Sequence, residues 1–187
     1  MSLIILVPRV SFFLGVENKA PGTDSLIKEN RNLMYRVLCD SGFWFGLFDP
    51  SDDYYFSANS VFDYLEKLGN TVYLMPYPSL YETLRTEICG NKSAMECFNR
   101  IVDNNCERIP DDEYREDAFR VVRSKTNYLG AHYSFVDVII RYILDDPKIK
   151  KDYLVTTNVK DFKDIADKNQ VEIEEILLNS ALRRTKK

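Results

Sequence analysis

Histidine occurs once, at position 132, and the four cysteines, Cys39, Cys89, Cys97 and Cys106, never form a C-x-x-C pair. That spacing leaves no ligand set for a zinc centre. Free thiols of a reducing cytoplasm are the plainer reading, and Cys39, inside an apolar run, reads as core. Basic residues are not in excess: 25 Lys and Arg stand against 29 Asp and Glu, for a formal net charge of -4. The surface as a whole is therefore not built to attract nucleic acid. A local basic groove, or an acidic site that reaches phosphates through cations, stays open. No apolar run reaches transmembrane length, so no membrane partner is expected. There is no G-x-G-x-x-G and no P-loop, which excludes dinucleotide or ATP binding by those motifs. The apolar start MSLIILVPRVSFFLGV has no basic residues before it, is interrupted by Pro8-Arg9 and shows no A-x-A cleavage pattern, so it is not read as a signal peptide.

What is present is a globular composition, 45% hydrophobic and 29% charged over 187 residues, enough for one domain with a real core. Residues 1–33 read as an N-terminal extension or arm. Two alternatives stay open for it: a loosely attached segment, or an extra strand through Leu3 to Val7. The domain proper spans 34–187 and closes on a basic tail, RRTKK. Strands are expected at Tyr35–Cys39, Thr71–Met75, Asp152–Thr156 and Val171–Ile173, and Asn105–Ile109 is a short third strand or an extended link. Helices are expected at 43–48, from a Ser51 or Asp52 cap to Leu68, from Ser79, at 91–102, at 111–124, at 132–144 and at 161–168. Alternating strands and helices predict an α/β fold: a single three-layer domain with a mainly parallel central sheet flanked by helices.

The chemistry-bearing residues are acids. Asp40 ends the first strand, where open α/β sheets keep their ligand sites. Its plainer reading is an N-cap for the segment that follows. Asp137 lies in the apolar run SFVDVII, where an ionised carboxylate is costly unless paired or metal-bound. A salt bridge to Arg141, one turn on, is the plainer reading. Glu82 on its own reads as a solvated helix residue. Together the three converge on the carboxyl edge of a parallel sheet, where gathered carboxylates repel each other and a divalent cation relieves them. Hard oxygen ligands without a Cys or His cluster select Mg²⁺ or Mn²⁺. Thr156 and Asn158 follow the fourth strand and can support such a site, as can Ser41 and Ser134. Asp161 is a fourth acid or the N-cap of the last helix. Arg115, Arg120, Arg123 and Lys125 could track phosphates, and a solvated face with Glu116 and Asp117 is their plainer reading. Tyr54, Tyr55 and Tyr128 could stack bases. The Phe43-Trp44-Phe45 run is core, or a surface for a dimer or protein partner.

Four pieces in this order, D-S-G at a strand end, a helix glutamate in SLYETL, S-F-V-D-V-I-I and L-V-T-T-N-V-K-D-F, resemble the PIN-domain family. The D-x-x-Y-x-x-A piece at Asp52, Tyr55 and Ala58 also fits. The resemblance runs from Met34 to about Ile173. It implies a metal-dependent ribonuclease holding Mg²⁺ or Mn²⁺ on Asp40, Glu82 and Asp137, with RNA as substrate. For a toxin of a toxin–antitoxin module it further implies an antitoxin partner, and a homodimer is compatible with it. The family's fourth acid falls at Asn158, a departure that leaves the site one charge short. That departure keeps a second reading open, a PIN-like RNA- or protein-binding module with weak or no catalysis. A haloacid-dehalogenase-like phosphotransferase is disfavoured, because the second aspartate of that pattern is replaced by Gly42.

Overall fold

The computed structural model describes residues 33–84, 86–128 and 133–178. The arm at 1–32, His132 and the basic tail lie outside the described residues. Five strands form one sheet: β1 (Met34–Cys39), β2 (Asn70–Pro76), β3 (Cys106–Ile109), β4 (Tyr153–Thr156) and β5 (Glu172–Glu175). Every pairing is parallel and the order is β3-β2-β1-β4-β5. The fold is therefore α/β with an all-parallel sheet, as the alternating pattern implies. Each strand falls within a residue or two of its expected place.

β1 lies between β2 and β4 and has no solvent face. Val37, Leu38 and Cys39 are all fully buried, and alternation sends them to opposite sides. On one side Val37 and Cys39 join Tyr73, Met75 and Val155 under α1 (Ser41–Phe48), α2 (Tyr55–Leu68) and α5 (Lys92–Asn105). Phe43 packs edge to face on Trp44, and Phe98 edge to face on Trp44 and Phe48, at centroid distances of 5.0–6.0 Å, while Trp44 and Phe48 stack nearly parallel at 6.3 Å. The Phe43-Trp44 run is thus core. On the other side Leu38, Leu74 and Leu154 lie under α6 (Arg115–Tyr128), α7 (Phe135–Asp145) and α8 (Lys163–Lys168). The chain lays its first half to one side of β1 and its second half to the other. The order reverses between β1 and β4, which makes that gap the switch point of a doubly wound sheet.

Several helix starts differ from expectation for local reasons. Neither Ser51 nor Asp52 caps α2, which follows Tyr54 without a side-chain cap; Asp49 and Asp52 accept from the backbone N–H of Ser51 and Tyr54 at 2.9 and 2.7 Å in turns that delay α2 to Tyr55. α3 (Tyr77–Thr83) starts before Ser79, with Pro78 in its first turn, where the missing N–H costs nothing. A short helix at Thr86–Cys89, α4, is additional. α7 begins at Phe135 and not at His132.

Candidate active site

Asp40 follows β1 and Thr156 ends β4, so the two face each other across the switch point. The Thr156 hydroxyl donates to Asp40 Oδ2 at 2.9 Å. The backbone N–H of Ser41 donates to Asp40 Oδ1 at 2.7 Å, and Ser41 Oγ lies 3.4 Å from the same oxygen. Asp40 is therefore the N-cap of α1, and the cap and the strand-end acid are one residue. The residue is only 8% exposed. Burial pushes its pKa up to about 6; the Thr156 and Ser41 hydrogen bonds oppose this, and the charges of Asp137 and Glu82 add to it. Asp137 and Glu82 thus both act on Asp40, although the three come from different elements.

Asp137 is not buried in mid-helix, nor is it paired with Arg141. It sits at the third position of α7, half-buried. Its carboxylate accepts from the Ser134 N–H at 3.0 Å, and Ser134 Oγ accepts from the Asp137 N–H at 3.0 Å. This capping box satisfies two end groups of the helix at once. Arg141 turns instead to the Asp164 carboxylate, at 2.6 and 2.7 Å, and lies over the Tyr133 ring. Glu82 is half-buried near the end of α3. Asn158 donates its backbone N–H to Thr156 Oγ1 at 3.0 Å and its side-chain amide to Asp161. Asp161 does not cap α8, which Phe162 precedes without a side-chain cap. It lies in the 3₁₀ turn Val159–Asp161 and holds Asn158.

The three arginines of α6 are each engaged by a neighbouring side chain. Arg115 bonds Asp111 at 3.0 Å and Asp112 at 3.2 Å, Arg120 bonds Asp117, and Arg123 lies 5.5 Å over the Phe119 ring. The side chain of Lys125 is outside the described residues. Sequence reasoning missed the contact of Gly42 with Thr157: a Cβ at Gly42 would stand 2.9 Å from Thr157 Cγ2. The D-S-G triplet was visible, but its glycine serves packing across the sheet gap, which no local pattern announces.

Among the described residues, no three Asp, Glu, Cys or His side chains close into a ready-made metal cage. No helix among them is long and apolar enough to cross a membrane. No protein-family model matches the sequence, and no curated protein sequence matches it significantly. Solved structures do match. The toxin VapC20 of Mycobacterium tuberculosis, which cleaves the sarcin–ricin loop, superposes with a TM-score of 0.52 at 16% identity, over 68% of this chain and 94% of that one. The chain shares the fold of this VapC toxin, a PIN-like α/β fold. VapBC2 of Rickettsia felis, solved bound to a promoter DNA fragment, gives a TM-score of 0.49 at 17% identity over 75% of this chain and 98% of that chain. In this PIN fold the Asp40–Thr156 pair lies at the switch point, with Asp137 at the start of α7 and Glu82 on α3.

Proposed function

We propose that this protein is a metal-dependent endoribonuclease that hydrolyses RNA phosphodiester bonds, acting in the cytoplasm as the toxin of a toxin–antitoxin module. The observation that carries the reading is Asp40: a buried carboxyl whose charge is opposed by two other acids at the switch point. Mutual repulsion of this kind is what a divalent cation relieves, and the donors are all hard oxygens, which fit Mg²⁺ or Mn²⁺. Asp40, Glu82 and Asp137 would hold the ion. When bound, it supplies Lewis acidity, lowering the pKa of water and neutralising phosphate charge.

The chain's own residues divide the remaining work. Thr156 fixes Asp40 Oδ2, and the Ser41 N–H fixes Oδ1, so the carboxylate keeps one orientation. Each of these oxygens retains a further lone pair for a ligand. The Ser134 N–H holds Asp137 in the same manner. Asn158 commits its amide group to Asp161 and keeps its carbonyl oxygen to orient an attacking water. Arg115, Arg120, Arg123 and Lys125 would track the RNA phosphates; the exposed ion pair of Arg120 is weak enough to exchange for phosphate, whereas Arg115 stays anchored on the buried Asp111 carboxylate through two of its nitrogens. An antitoxin protein and a second copy of the chain are the expected protein partners.

Asn158, in place of an acid, favours one alternative: a module that binds RNA or protein and cuts weakly or not at all. Cleavage of labelled single-stranded RNA with Mn²⁺, Mg²⁺ or EDTA tests the proposal, with Asp40→Asn and Asp137→Asn beside the wild type. Metal-dependent cutting, absent in both folded variants, is the expected result. Equal cutting by wild type and variants overturns it.

A further inference from the structure

Tyr81 is the most exposed of the large apolar and aromatic side chains in the described residues, at 64%. It is not left over from the core. Its ring lies 5.8 Å from that of Tyr77, one helical turn earlier on α3, with the planes tilted by 43°. Tyr77 follows directly on Pro76, the last residue of β2, so the pair stands at the same sheet edge as Asp40 and Thr156. Glu82 is the next residue along the chain. Tyr81 also lies within electrostatic reach of Arg115, at the start of α6. Other exposed rings are occupied differently: Phe56 packs edge to face on Tyr55, and Phe119 is covered by Arg123.

We propose that Tyr77 and Tyr81 form a stacking platform that receives an unpaired base of the RNA strand beside the acidic site. The proposal rests on the ribonuclease reading and names how its substrate is held. A flat ring braced by a second ring offers a π-face at little cost in side-chain entropy, and every base presents a complementary face. The nearby guanidinium suits the phosphate that accompanies the base. Because the base must be splayed out to stack, the platform selects single-stranded over duplex RNA. Tyr54 and Tyr55, the other candidates for stacking, are both half-buried, and the side chain of Tyr128 lies outside the described residues.

Binding is measured by fluorescence anisotropy in EDTA, so that no strand is cut, with labelled oligoadenosine, oligouridine and an RNA duplex. The proteins are full-length wild type, Tyr77→Ala, Tyr81→Ala and Tyr81→Phe. Expected are tighter binding of oligoadenosine than of oligouridine, weak duplex binding, an about ten-fold loss in Tyr81→Ala and recovery in Tyr81→Phe. Wild-type affinity in both alanine variants overturns the platform, as does an equal loss on the duplex or an absence of RNA binding by the wild type. The same samples given Mn²⁺ separate the two claims. Tyrosine-dependent binding without cutting overturns only the nuclease reading, and cutting with tyrosine-independent binding overturns only the platform.

Discussion

Asp40 is held against its own ionisation. Its ordinary pKa is 3.8 and its value in the fold about 6, because burial outweighs two supporting hydrogen bonds and two acids oppose its charge. Between those values the folded protein keeps a proton that the unfolded chain has lost. Its contribution to stability is therefore full below about pH 4 and falls as the pH rises to about 6, by on the order of 3 kcal/mol. Asp40→Asn removes this dependence. In urea melts the variant should gain stability relative to the wild type as the pH rises through that window, by about 2–3 kcal/mol, while losing RNA cleavage. A gap that does not change between about pH 4 and pH 7 would contradict the assigned cause. Activity of the wild type should rise through the same window, since the charged form is the ligand.

At the scale of elements, the ends of helices and the gaps between strands carry the site. Ser134→Ala removes the Ser134 half of the capping box of α7 and should lower stability by about 1 kcal/mol in thermal or urea unfolding. Gly42→Ala brings a Cβ to 2.9 Å from Thr157 Cγ2 in the first turn of α1. It should cost about 1–3 kcal/mol and impair cleavage by shifting Asp40. Thr157→Ala removes the obstructing atoms, so the double variant should recover most of the loss; a double variant no better than Gly42→Ala would show that Thr157 is not the cause. Periodicity alone started α7 at His132, although Ser134-Phe135-Val136-Asp137 spells a capping box ahead of an apolar run. The salt bridge imagined for Asp137 failed because Arg141 is drawn to Asp164, which no i,i+4 rule can anticipate across 23 residues of chain.

For the whole molecule, the inner strands were legible because two-sided burial of a parallel sheet writes apolar runs into the sequence: Val37-Leu38-Cys39 and Leu154-Val155 are such runs, and all five residues are fully buried, whereas the edge strands β3 and β5 are half-exposed and charged. Doubly wound order then brings the ends of β1 and β4 together without any local signal linking Asp40 to Thr156, 116 residues apart. Topology accounts for the influence of Asp137 and Glu82 on Asp40; the hydrogen bonds that hold Asp40 and Asp137 carry no such signal in the sequence. Isothermal titration of Mn²⁺ into wild type and Asp40→Asn, at about pH 5 and about pH 7.5, tests whether Asp40, Glu82 and Asp137 bind a divalent cation. The prediction is saturable binding by the wild type that strengthens with pH and is lost in Asp40→Asn. No binding heat at either pH, or the same binding in Asp40→Asn, would contradict it.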